Sequence, residues 1–183
     1  MMQVIRAGDF KQGRWLNGMG VSWDIASDPH SVGTSDFGWR FAIARIDADV
    51  PFSRYEKVDR IFTLIEGNGL VLDLEGSGTI IVNRMHVPHA FPGDVPTACR
   101  LNSGPCRALN LFLSRERWAG DVRILKGRHS LTHAGPILLF ALDGNAQCDG
   151  AHLNAGDAVV TSGSVTCDAG SASLYAALLS AKT

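Results

Sequence analysis

The sequence lacks any apolar run approaching the roughly 20 residues that a membrane-crossing helix needs. Its first residues carry Arg6, Asp9 and Lys11 where a secretion signal would be apolar. A cytoplasmic location with no membrane partner is therefore expected. Charge of one sign is also missing. Seventeen Lys and Arg against eighteen Asp and Glu leave a formal net charge of −1, which argues against nucleic acid as a partner. The four cysteines, Cys99, Cys106, Cys148 and Cys167, form no C-x-x-C, so spacing signals neither a zinc site nor a redox pair and reduced thiols are expected. No G-x-S-x-G elbow and no phosphate-cradling glycine loop occurs, which removes the usual hydrolase and nucleotide-binding signatures.

What is present is β-sheet patterning. Twenty glycines and seven prolines cut the chain into short runs in which apolar residues alternate or cluster over a few positions instead of recurring at helical spacing. Strands are predicted over 39–46, 60–66, 70–74, 79–82, 109–113, 137–142, 158–161 and 173–179, and a short helix over 115–120. Glu66-Gly67-Asn68-Gly69 and Glu75-Gly76-Ser77-Gly78 read as hairpin turns. Between them, alternation puts Leu70, Leu72 and Leu74 on a core face and Asp73 on the other.

Two Gly-Asp turns, Phe91-Pro92-Gly93-Asp94 and Asn154-Ala155-Gly156-Asp157, are spaced by about the length of one small β module and suggest a repeat. A carboxylate in such a turn commonly caps its own backbone, which accounts for Asp94 and Asp157. Further landmarks follow in order: Trp15-Leu16-Asn17-Gly18-Met19-Gly20, Phe37-Gly38-Trp39-Arg40, Pro51-Phe52-Ser53, Val58-Asp59-Arg60, Glu66-Gly67 and Gly104-Pro105-Cys106-Arg107-Ala108-Leu109-Asn110-Leu111.

This series resembles the HutD/Ves family of bacterial bicupins. The match is strong over residues 1–115 and beyond that rests on length and the Gly-Asp pattern. Two departures stand out: Met19 replaces the middle glycine of the opening motif, and Ala108 stands where the family usually has Asp. The resemblance implies an all-β bicupin of two fused cupin-like β-sandwich or barrel modules. The first module, with an N-terminal segment, is expected over residues 1–115 and a smaller second one over 116–183. It also implies a link to histidine utilisation, with formylglutamate, formiminoglutamate or urocanate as candidate ligands.

The metal constellation of metal-dependent cupins, H-x-H with a carboxylate and a later His, is missing from Pro51-Phe52-Ser53-Arg54-Tyr55-Glu56. His86 with His89 and His129 with His133 lack a neighbouring Glu in zinc-protease register. No metal, other cofactor or catalytic residue is assigned. The candidate ligand-binding residues are Arg60, Arg40, Glu66, Asp59, Asn110, Trp15 and Asn17. On the strand over 39–46, Arg40, Ala42 and Ala44 share a face, so an arginine stands over two small residues that leave room for a ligand. Paired guanidinium forks suit a small carboxylate. The bland alternatives are that Arg40 or Arg60 pairs with Asp59 or Glu66 to tie strand ends together, and that Asn17-Gly18 is an ordinary turn. Three functional readings result: a metal-independent binding or regulatory protein; a metal-independent isomerase or lyase with Glu66 or Asp59 as base; and a structural protein forming a homodimer through a sheet edge or face.

Overall fold

The structure is a computed structural model that describes residues 1–30 and 37–183. Its strands in chain order are β1 (Gln3–Ile5), β2 (Lys11–Arg14), β3 (Val21–Ser27), β4 (Trp39–Ile46), β5 (Val58–Glu66), β6 (Leu70–Leu74), β7 (Gly78–Val82) and β8 (Pro88–Pro92). They continue with β9 (Thr97–Leu101), β10 (Cys106–Ser114), β11 (Trp118–Leu125), β12 (Arg128–Ala141), β13 (Ala146–Cys148), β14 (Ala151–Leu153), β15 (Ala158–Asp168) and β16 (Leu174–Ala181). Apart from a 3-10 turn over Ala7–Asp9, the described residues contain no helix, and none is long and apolar enough to cross a membrane. The predicted helix over 115–120 is corrected. Residues 115–117 turn, with Arg117 N–H donating to Ser114 O at 3.0 Å, and the chain then enters β11. Exposure alternates along β11 because its larger apolar residues, Trp118, Val122 and Ile124, recur at even positions.

The chain forms two compact units, residues 11–117 and residues 1–10 with 118–183. The first contains a six-stranded sheet in the order β2-β3-β4-β10-β5-β8 and a three-stranded sheet β7-β6-β9. Ile46, Leu64 and Ala108 of the larger sheet pack with Leu70, Leu72, Leu74, Val82 and Cys99 of the smaller one in a single apolar cluster. Leu70, Leu72 and Leu74 are buried as the alternation requires, while Asp73 accepts from Thr79 and Arg100 on the flanking strands. Residues 75–77 close the β6–β7 hairpin. The expected hairpin at 66–69 is corrected, because β5 and β6 lie in different sheets and the turn carries the chain from one to the other. Gly67 needs φ +99° there, and a Cβ at this position would meet Pro105 O at 2.5 Å.

The second unit is one sheet in the order β11-β16-β12-β15-β13-β14, with β1 added to β15 through Gln3 opposite Val160. Its core includes Leu131, Ile137, Leu139, Val159, Val165 and Ala176, with Met2 and Val4 packed against it. Residues 1–10, expected with the first module, thus group with the second. The reason is local: Asp157 accepts from Arg6 Nη1 at 2.7 Å and from Ala7 N–H at 3.0 Å, while also capping Asn154 N–H at 3.0 Å. The other Gly-Asp turn has an ionic role too, since both oxygens of Asp94 accept from Arg115 at 2.9 Å.

Candidate functional site

The first unit's larger sheet aligns the side chains of the site. Antiparallel register sets Phe112 of β10 opposite Arg40 of β4 on one side and Arg60 of β5 on the other, with Arg60 in turn opposite Phe91 of β8. Asn110, two residues back on the same face, lies opposite Ala42. The row Arg40, Phe112, Arg60 is thus a consequence of period-two alternation in three neighbouring strands. Trp15, from the β2–β3 connection, and Phe52, Ser53 and Tyr55, from the β4–β5 connection, complete the wall. Trp15 meets Phe52 edge-on at 5.6 Å and anchors its Nε1–H on Val21 O at 3.1 Å.

These residues, with Ser22, Ala42 and Ala44, enclose a cavity of about 20 Å³ at the base of a funnel of about 390 Å³ counted to its open mouth. The closed part has room for one or two water-sized groups, since a water molecule needs about 10–15 Å³ on this scale. Among the described residues lining it there is no carboxylate, histidine or cysteine.

The two arginines are compensated differently. Arg40 Nε donates to Asp24 Oδ1 at 2.8 Å and Nη2 reaches Ser22 Oγ at 3.4 Å, so its charge is paired. Arg60 is buried, and among the described residues no carboxylate lies within ion-pair distance of it. Its Nε and Nη2 both donate to Asn110 Oδ1, at 3.3 and 3.1 Å. The rings of Phe52, Phe112 and Phe91 lie 4.8, 4.9 and 5.1 Å from its guanidinium carbon. Burial pushes its pKa down to about 10, with Arg40 adding to the shift and Tyr55 opposing it. The group remains protonated at neutral pH. Aromatic faces and one amide oxygen partly stabilise such a cation, but among the described residues its remaining donors have no protein acceptor, and Arg60 lines the cavity.

Four of the seven residues singled out in the sequence, Arg40, Arg60, Asn110 and Trp15, therefore come together. The other three do not, and neither arginine takes the partner considered for it. Asp59 is on the opposite face of β5 and accepts from Arg115 Nε at 2.8 Å. Glu66 is exposed at the strand end with Arg107 at 3.4 Å. Asn17 builds a turn, donating through Nδ2 to Pro51 O at 2.9 Å and accepting Met19 N–H at 3.1 Å. Sequence reasoning missed Ser22, Ser53, Tyr55, Phe52 and Phe112 as lining residues. Phe112 was recoverable, since it follows Asn110 by two in the same strand; the loop residues carried no such signal.

No three His, Cys, Asp or Glu side chains converge as a metal set among the described residues. His129 Nε2 contacts Lys126 O at 2.9 Å and His133 Nε2 contacts Leu179 O at 2.8 Å. The cavity's own donor set, two guanidiniums with an amide and hydroxyls, suits an anion.

Two fused all-β units, one with a polar cavity reached between its strands and loops, define a bicupin. The chain belongs to the HutD family, whose model matches residues 7–176. It is similar to an uncharacterised 21.2 kDa protein encoded in the region 3′ of hutC in Pseudomonas putida, with 31% identity over 150 residues, covering 80% of this chain and 76% of that one. Protein Ves of Citrobacter koseri is 34% identical over 111 residues, 60% of this chain and 56% of its own. Among solved structures, HutD from Pseudomonas fluorescens SBW25 (formate condition) superposes with a TM-score of 0.88 at 28% identity, covering 100% of both chains.

Proposed function

We propose that this protein is a metal-independent binder of small carboxylates, acting as a cytoplasmic sensor or regulator linked to histidine utilisation, with a formylglutamate-like ligand. One observation carries the reading: among the described residues Arg60 is a buried cation without a carboxylate partner, and it lines a cavity with a small closed base. Leaving a buried charge uncompensated is costly, and a ligand carboxylate supplies the missing charge with bidentate geometry. Arg40, already neutralised by Asp24, orients the mouth and Phe112 between the two arginines. Residues 1–10 and the second unit contribute architecture. Placing Asp59 and Glu66 outside the cavity removes the two carboxylates considered as general bases, which favours binding over isomerase or lyase chemistry. The relative encoded beside hutC supports the metabolic context.

A thermal-shift titration of EDTA-treated protein with formylglutamate, formiminoglutamate, urocanate and related carboxylates tests this. A saturating ligand at a hundredfold excess over Kd stabilises by about 2.7 kcal/mol. The expected result is a rise in Tm with at least one of them that disappears in Arg60→Met. An equal rise in the variant, or none with any compound, overturns the assignment of Arg60 as anchor.

A further inference from the structure

We propose that Cys148 and Cys167 of the second unit are an oxidisable dithiol, which a hydroperoxide converts to a disulfide across two paired strands. The pairing comes from register: Cys148 of β13 lies directly opposite Cys167 of β15. At the next position of the ladder Asp149 N–H donates to Thr166 O at 2.9 Å, and Thr166 N–H returns to Asp149 Oδ1 at 2.9 Å. The cysteines therefore occupy a non-hydrogen-bonded pair, where Cα atoms approach to about 4.5 Å and side chains are closest. That spacing falls within the roughly 4.4–6.8 Å that a disulfide bridges. Their Sγ atoms are 2.8 Å apart and both side chains are buried. Cys106, by contrast, directs its thiol to Gly69 O at 3.4 Å.

Both thiols face the apolar core of the unit, so a small oxidant reaches them through local opening of the three-residue strand β13. The chemistry balances with a hydroperoxide as two-electron oxidant. One thiol gives up its proton and the resulting thiolate attacks a peroxide oxygen, breaking the O–O bond; the sulfur becomes a sulfenic acid and the departing hydroxide takes up that proton as water. The second sulfur then attacks the sulfenic sulfur, loses its proton and expels a second water. Both sulfurs are oxidised, and one hydrogen peroxide is reduced to two waters. The bond closes a loop of residues 148–167. It fastens β13, which meets β15 at only two register positions, and encloses the turn that holds Asp157.

The test uses the full chain, reduced, desalted, titrated with hydrogen peroxide and then alkylated in denaturant. Cleavage on the N-terminal side of aspartate places Cys148 in peptide 143–148 and Cys167 in peptide 157–167. The expected product is these two peptides joined as one species that dithiothreitol separates, with Cys99 and Cys106 recovered alkylated. The oxidised protein is also expected to melt roughly 5–10 °C above the reduced form, a rise that is absent in Cys148→Ser. Recovery of all four cysteines alkylated at peroxide doses that oxidise free glutathione overturns the proposal. So does a link between any other pair, or over-oxidation of either residue without a link. A correct link with no rise in Tm overturns the fastening role of the bond.

Discussion

Replacing Asn110 with aspartate probes whether the charge on Arg60 is truly uncompensated. The exchange is nearly isosteric, and the oxygen that already accepts from Arg60 at 3.1 and 3.3 Å becomes a carboxylate oxygen. Opposite unit charges about 4 Å apart attract by about 4 kcal/mol at an effective dielectric constant of 20. Removing a carboxylate from water at this buried position costs several kcal/mol, so the net gain in stability is small, roughly 1–2 kcal/mol at pH 7. Binding responds much more strongly. An internal counter-ion occupies the charge that a ligand carboxylate needs, and the like-charge cost of about 4 kcal/mol translates to a loss of affinity of roughly 1,000-fold. The gain in stability has a defined pH signature. The new carboxyl titrates lower in the folded than in the unfolded protein, where it sits near about 3.9. Its contribution is thus fully present above that value and is lost as pH falls through the folded-state pKa. Calorimetric ligand titration together with Tm measured from pH 7 to pH 3 reads both effects. Unchanged carboxylate affinity in Asn110→Asp would refute the reasoning, since it would mean that Arg60 is not the acceptor of the ligand's charge.

Arg60→Met exchanges the buried cation for an apolar side chain among Phe52, Phe91 and Phe112; stability is expected to stay within about 1 kcal/mol of wild type or to rise, while carboxylate binding is lost, as chemical denaturation and ligand titration will show. Ala42→Leu adds volume to a fully buried cavity wall, so ligand affinity falls at least tenfold at an overpacking cost of roughly 1–3 kcal/mol, separable by measuring Kd and unfolding on the same variant. Asp157→Asn removes the countercharge of Arg6 and is expected to cost about 1–2 kcal/mol, with hydrogen exchange rising first over residues 1–10. Burial pushes the Asp157 carboxyl up, but Arg6 and the N–H groups of Asn154 and Ala7 outweigh it and hold the group below its ordinary value. Its stabilisation is therefore present above about pH 4 and lost as pH falls through the lowered pKa; the variant's deficit against wild type should vanish in acid.

Legibility from sequence followed the physics of each segment. Central strands with strong alternation or dense β-branched and aromatic content, β4 and β6 above all, were readable to the residue. Edge strands were not. Residues 11–14 in β2 are all exposed, so no apolar period marks them, and β13 and β14 are three residues each. The N-terminal half of β12 and all of β11 read as polar or mixed because only one side of each is covered. At the site, Arg40, Ala42, Ala44 and Asn110 were legible because each shares a strand with large apolar neighbours whose phase fixes the opposite face. Arg40's partner was not: Asp24 lies in β3, which was not assigned as a strand although Val21, Trp23 and Ile25 alternate, so Asp59 and Glu66, in and at the end of the strand that carries Arg60, were weighed instead. The Cys148–Cys167 pairing escaped for a similar reason. Spacing rules detect cysteines close in the chain, whereas this pair is joined by the ladder between β13 and β15.

The interiors of the two units differ in a way that bears on the proposed binding role. In the second, positions along β12 and β16 such as Ile137, Leu139, Leu174 and Ala176 are apolar and fully buried, and the buried acid, Asp157, is matched by Arg6 and two backbone donors. The charge of that acid is met within the unit. The corresponding interior of the first unit is filled by apolar side chains in one half, from Phe62 and Leu64 to Leu72. At the other end of the same strands, small alanines replace large residues beside a guanidinium that has no carboxylate partner among the described residues. Packing alone gives no reason to hold an unpaired charge in a void lined by Ala42 and Ala44, because a larger apolar residue would both fill the space and remove the desolvation cost. An anion supplied from outside accounts for the void and the charge together, and it makes a joint demand on experiment: filling the void and neutralising the charge must each abolish the same ligand response.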